Sequence, residues 1–146
     1  MDAVSLVMAL CRKFEGLYLT PYLCSAGVPT IGYGATFYED GARVTLADAP
    51  ITKERAETLL RWHITRHFMP QTIKLCPGAD TPGRIAALCD FAFNLGLGNL
   101  NSSTLRRRVN AGQWADVPSQ FMRWNKAGGL VLRGLTRRRA AEVELI

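Results

Sequence analysis

No stretch of this sequence is apolar for long enough to cross a bilayer. The best candidate, Ala3 to Cys11, is interrupted by Ser5 and stopped by Arg12-Lys13, whereas a spanning helix needs about 20 such residues. No small-residue cleavage pattern follows it, so the expectation is a chain that carries no export signal of its own. Acidic residues are scarce, 12 against 18 Lys and Arg, which leaves a net charge of +6 and favours a polyanionic partner through long-range attraction. The four cysteines, Cys11, Cys24, Cys76 and Cys89, form no CxxC pair and no metal-binding spacing. They are expected to be reduced, with Cys11 and Cys89 buried as small apolar groups. Histidine is limited to His63 and His67, four apart. Ile64 stands where a zinc-peptidase helix would place its Glu, and no third ligand is signalled, so they read as helix-face residues and no metal is expected. The chain has no internal repeat and no low-complexity segment.

What is present suits an ordinary globular chain. A length of 146 residues fits one domain, or two small lobes sharing a core. Val7, Leu10, Cys11 and Phe14 share one helical face, so Met1 to Phe14 reads as an amphipathic helix ended by Gly16. Leu19 to Tyr38 carries Pro21, Gly27, Pro29, Gly32 and Gly34 among Tyr, Val, Thr and Ile, the composition of short twisted strands with tight turns. Thr52 is a candidate N-cap for a long helix over about 53–68 that stops before Pro70. Thr81-Pro82 reads as the cap and first turn of the next helix. Its residues to Leu95 are apolar nearly all round, which marks a buried helix with Asp90 and Asn94 as polar exceptions. Ser102 and Ser103 cap a helix that ends at Gly112. Gly128-Gly129 breaks the chain before a last helix opening at Gly134. Arg137, Arg138 and Arg139 in its first turn oppose the helix macrodipole and need an anion or Glu142 and Glu144 to offset them. A solvated ion-pair network is the plainer expectation, and an anion-binding face the functional one.

The stretch Phe14 to Thr36 concentrates the chemistry. Glu15 ends the first helix against Phe14 and Leu17, where desolvation raises a carboxyl pKa towards the range a general acid uses. Cys24 follows nine residues later and Thr30 six after that, offering a thiol and a hydroxyl across a gap. On spacing alone, a surface Glu, a core Cys and a turn Thr remain open as the alternative.

Glu15-Gly16-Leu17, Tyr22-Leu23-Cys24, Gly27 and Thr30-Ile31-Gly32-Tyr33-Gly34 together resemble the signature of phage-type lysozymes, the muramidases of glycoside hydrolase family 24. Phe93-Asn94-Leu95-Gly96, Ser103-Thr104-Leu105 and Asn110 extend the resemblance over nearly the whole chain. It implies an α+β, mostly helical lysozyme-like fold spanning 1–146. A small sheet lobe (about 15–50) and a larger helical lobe (about 80–146, with the N-terminal helix) would be joined by the long helix of about 53–68, with a cleft between them. The implied activity is that of an endolysin hydrolysing the β-1,4 bond between N-acetylmuramic acid and N-acetylglucosamine of bacterial peptidoglycan. Glu15 would be the general acid, and Thr30 with Cys24 would position water. Phe93, Thr104 and Gln120 match glycan-contacting positions, although Phe93 reads equally as core packing. No cofactor is implied. The enzyme would be a monomer, held in the host bacterial cytoplasm until a phage holin opens the membrane. Two departures stand out. Cys24 follows the Cys variant of the signature rather than Asp, and would need a lowered pKa to act as thiolate. Ala35 replaces the His that many relatives carry.

Three other readings compete. A lytic transglycosylase would use the same acid but close the muramic ring on itself, and Thr30 as a water holder argues against it. A non-catalytic binder of cell wall or nucleic acid would rest on Arg106-Arg107-Arg108 and Arg137-Arg138-Arg139. Its aromatics are not interleaved with the basic runs, and no nucleic-acid motif is present, so no nucleic-acid partner is expected. A cysteine peptidase would have to pair Cys24 with His63 or His67 without any recognised local signature.

Overall fold

The computed structural model describes residues 1–146. Helix α1 (Ala3–Phe14) starts where Asp2 accepts the Ser5 N–H and ends with the Glu15 N–H on the Cys11 carbonyl. The chain then turns into an antiparallel pair, β1 (Tyr18–Leu23) and β2 (Pro29–Gly32). Tyr18 pairs with Gly32, Tyr22 with Thr30 and Leu23 with Pro29, with a bulge between the first two pairs. Short bridges, Ile31 to Ala35 and Phe37 to Arg43, continue the small sheet region. Its apolar centre is Ile31, Ala35 and Val44, closed by Leu59 from α2 (Lys53–Trp62). Thr52 caps α2 as expected, accepting from the Arg55 N–H at 3.0 Å.

Pro70 does not end this helix. The helical path runs on through a π-turn (His63–Phe68) into α3 (Met69–Leu75). In that turn the Met69 N–H reaches the Ile64 carbonyl, one residue beyond the α-helical partner. The widened turn makes room for a ring that would otherwise clash with a carbonyl of the preceding turn, and the N–H that Pro70 lacks is not required there.

The helical part is built around α4 (Pro82–Leu95), capped by Thr81 with Pro82 in the first turn. Every residue from Ala86 to Ala92 is buried. Ala86 and Cys89 meet α1, α2 and the π-turn, while Ala87, Leu88, Phe91 and Ala92 meet the helices that follow. These are α5 (Leu97–Ser102), α6 (Thr104–Asn110) and α7 (Val117–Met122). A two-residue hairpin, β3 (Lys126–Ala127) and β4 (Leu130–Val131), turns at Gly128-Gly129 and leads into α8 (Arg133–Val143). One α4 helix thus serves two apolar clusters, which is why its sequence shows no polar face. No helix is long and apolar enough to cross a membrane.

The start of α4 is also a packing limit. A Cβ on Gly83 would collide with the backbone carbonyl of Leu145. Gly to Ala in a helix ordinarily stabilises by roughly 0.5–1 kcal/mol. Here Gly83→Ala is expected to lower the thermal unfolding temperature, and a raised one would contradict this packing of the C-terminus on α4.

Candidate active site

Glu15 follows α1 directly, and its Oε1 accepts from Arg138 Nη1 of α8 at 2.8 Å. Its side chain keeps 24% exposure, whereas that of Arg138 has 4%. The expected apolar enclosure of Glu15 is therefore replaced on one side by a fixed guanidinium. The other oxygen faces Gly34: a Cβ there would stand 3.5 Å from Oε2. Gly34 has φ +86°, a conformation that glycine adopts without strain, so the β2 turn can pass close to the carboxylate.

Glu15, Cys24, Thr30 and Phe93 line one concavity, together with Tyr22, Gly34 and Asn94. The hairpin places two of these groups. Tyr22 pairs with Thr30, and the Cys24 N–H bonds the Val28 carbonyl at 3.1 Å. Gly27 completes the turn with φ +74° and donates to the Cys24 carbonyl at 2.8 Å. Backbone N–H groups of Val28 and Ala26 draw the Cys24 thiol below its ordinary pKa. The turn supplies this effect. Thr30 is almost fully buried, and its hydroxyl donates to the Val28 carbonyl at 2.8 Å. In that arrangement its Oγ1 is left to accept a hydrogen bond from a guest.

Phe93 meets the Phe68 ring in a tilted contact with centroids 5.0 Å apart, packs against the buried cluster below and borders the concavity. Thr104 and Gln120 come together elsewhere, in a polar depression with Ser102, Ser103, Arg123 and Trp124. A third groove, bounded by Phe14, Leu132, Gly134, Leu135 and Arg138, also borders Glu15 and Asn94. Glu15 thus lines two grooves.

His63 Nε2 bonds the Phe37 carbonyl at 2.9 Å, and burial lowers its pKa. His67 Nδ1 contacts Gln71. No group of three or more His, Cys, Asp or Glu is placed to hold a metal ion. The first arginine run bonds the chain itself, whereas Arg137 of the second is exposed. Arg106 donates to the Leu75 and Asn101 carbonyls, Arg107 to Thr104 and Arg108 to Gln113.

The last helix corrects the expectation of a solvated network or an anion-binding face. It begins at Arg133, so Arg138 and Arg139 lie beyond its first turn, and both are buried. Arg139 Nε and Nη2 clasp Glu142 at 2.7 and 2.6 Å, and Nη2 also reaches Asn94 Oδ1. Arg138 Nε and Nη2 clasp Asp90 at 2.8 Å each. Sequence reasoning missed Arg138 as the partner of Glu15. The signal available was Asp90 inside an apolar helix, a buried carboxylate in need of a cation.

Comparison with known proteins agrees with this architecture. The phage lysozyme family model matches residues 12–142. An endolysin of Acyrthosiphon pisum secondary endosymbiont phage 1 is 34% identical over 144 residues, covering 94% of this chain and 92% of that protein. An endolysin of Bacillus phage B103 is 38% identical over 133 residues, 91% of this chain. The chain spans only about half of that Bacillus phage relative, 49% of its length. The solved endolysin from Escherichia coli O157:H7 phage FAHEc1 superposes with a TM-score of 0.85 at 30% identity, covering 99% of this chain and 92% of that one. The chain belongs to the phage lysozyme family.

Proposed function

We propose that this chain is the muramidase unit of a phage endolysin and hydrolyses the β-1,4 bond between N-acetylmuramic acid and N-acetylglucosamine. The observation that carries this reading is the opening of Glu15, Cys24 and Thr30 into one concavity. A glycosidic bond there meets an acid from one side and a polar turn from the other. Glu15 donates a proton, carried on the Oε2 that Arg138 leaves free, to the leaving glycosidic oxygen as the C1–O bond breaks. Positive charge develops on the muramoyl ring. A water donating to Thr30 Oγ1 is held for attack at C1, and the Cys24 sulfur, its thiolate favoured by the Val28 and Ala26 N–H groups, takes the water's proton. This route adds water with inversion. Thiolate attack on C1 would instead leave a covalent intermediate and net retention, and water placement is preferred because Thr30 offers a fixed acceptor.

Phe93 provides an apolar edge for a sugar face. Thr104 and Gln120, outside the concavity, would contact the glycan at a further position. The chain acts as a single catalytic unit and a monomer, with the lobes of about 15–50 and 80–146 meeting at the cleft. It reaches peptidoglycan from the host cytoplasm after a phage holin opens the membrane. Burial of Arg138 and Arg139 takes two cations of the last arginine run out of reach of a polyanion such as nucleic acid. Purified sacculi incubated with the protein should release soluble glycan fragments, and sacculi left intact would sink the enzymatic reading.

Cys24 gives a separate check. Burial raises the Cys11 and Cys89 thiols and pushes Cys76 up to about 11, whereas the Cys24 thiol is lowered. Only the thiolate alkylates. At neutral pH, iodoacetamide should therefore modify one thiol of the native protein quickly, at Cys24, with loss of cleavage. Its rate should rise with pH through a midpoint below that of an ordinary thiol. Equal, slow modification of all four cysteines would contradict the turn's effect.

A further inference from the structure

Asp90 has no access to either groove at Glu15. It lies on α4, fully buried, and its carboxylate touches no concavity. Yet both of its oxygens are engaged by the residue that holds Glu15. Arg138 Nε meets Asp90 Oδ2 and Nη2 meets Oδ1, each at 2.8 Å, while Nη1 alone reaches Glu15 Oε1, also at 2.8 Å. A planar guanidinium gripped along one edge has no remaining freedom of orientation, so its third nitrogen is aimed. Cys11 of α1 lies under the same carboxylate, with Sγ 3.6 Å from Oδ1.

We propose that Asp90 is a positioning residue for Glu15, acting through Arg138. The proposal rests on Glu15 being the acid of the reaction. It explains why an apolar helix spends a buried carboxylate at this place: α1, α4 and α8 meet there, and the Asp90–Arg138–Glu15 chain links all three. Three elements that must pack correctly for the fold thereby fix one carboxylate oxygen, leaving the other for substrate. The charge balance follows the same path. Arg138 is shared between two carboxylates, and its pull on ionised Glu15 is limited by Asp90. Around this chain stand Arg139 and Glu142 from α8, Cys11 from α1, Cys89 from α4 and Tyr22 from β1. Glu142 is clasped along a whole edge by Arg139 and is not free to take over Arg138.

The test is Asp90→Asn in the full chain, with kcat and KM measured on purified sacculi. Asparagine keeps the shape but offers one acceptor where Arg138 needs two. kcat is expected to fall about tenfold or more through misplacement of Glu15, with KM changed less than twofold. A variant that merely melts earlier but keeps the wild-type kcat overturns the proposal. Arg138→Lys is the second variant and decides the matter if Asp90→Asn does not fold. It retains the charge but cannot bridge both carboxylates in a fixed plane, so kcat should fall by a similar factor, and a wild-type kcat would refute the aiming role. Failure of the wild-type protein to cleave sacculi would instead defeat the assignment of Glu15 itself, an outcome separable from either variant's.

Discussion

Glu15→Gln is expected to lower glycan cleavage by about 10²-fold to 10⁴-fold, the range contributed by a positioned acid, while leaving the folded protein and its binding to sacculi intact. Glutamine has nearly the shape of glutamate, and its side-chain carbonyl can still accept from Arg138 Nη1 in place of Oε1. What disappears is the exchangeable proton on the oxygen beside Gly34. The amide at that position donates a hydrogen bond but cannot protonate a leaving oxygen. The effect should therefore fall on kcat, with KM little changed. The comparison needs wild type and variant at equal concentration, with unfolding temperatures measured on both. A folded variant retaining more than a tenth of wild-type kcat would remove Glu15 from the mechanism. A variant that loses binding as well would indicate that the carboxylate's charge holds the site open and that its proton is secondary.

Arg139→Met carries the largest expected cost in stability. Arg139 and Glu142 both have fully buried side chains, and the pair is joined by two short hydrogen bonds. Removing one partner of such a pair typically costs about 3–5 kcal/mol, because the other partner's polar atoms are left buried without their hydrogen bonds. For a chain of this size that corresponds to a fall of roughly 10 °C or more in Tm. The loss should depend on pH only at the alkaline end. Burial pushes the Glu142 carboxyl up, Asp90 adds to the shift, and Arg139 opposes it. With Arg139 in place the carboxyl is already raised to about 9, so wild type too holds a proton that the unfolded chain gives up near the ordinary carboxyl pKa and loses stability as pH rises. Arg139→Met raises it further, so its Tm deficit should stay nearly constant from pH 4 to pH 8 and widen only above about 9. Adding Glu142→Leu should recover much of the loss, since an apolar replacement of both partners leaves no buried charge. A single variant within about 1 kcal/mol of wild type at pH 8 would contradict the burial of this pair.

The contrast between these two predictions tracks what one sequence can reveal. Glu15, Cys24 and Thr30 fall within a single helix end and hairpin, where Gly27 and Gly34 mark the turns that aim them, so their grouping is written locally. The caps Thr52, Thr81 and Ser103 were legible for the same reason, each bonding an N–H three residues on. The all-apolar α4 announced its own burial. Arg138 was not legible as a site residue. Its partner Glu15 is 123 positions away and Asp90 is 48 away, and an arginine run gives no sign of facing inwards. Nor did Pro70 show that a π-turn would carry the helix past it, because that depends on how His63 to Phe68 pack beneath α1 and α4. The grouping of Thr104 with Gln120 in a depression of their own likewise depends on how α6 and α7 pack, which no local pattern encodes.

The measurement that bears most directly on the central claim is mass spectrometry of the fragments released from purified sacculi in ¹⁸O-labelled water. An acid at Glu15 and a water held at Thr30 predict reducing-end muramic acid carrying one ¹⁸O at C1 on every new end. Anhydro-muramic ends without the label would contradict hydrolysis and assign the same Glu15 to a transglycosylase.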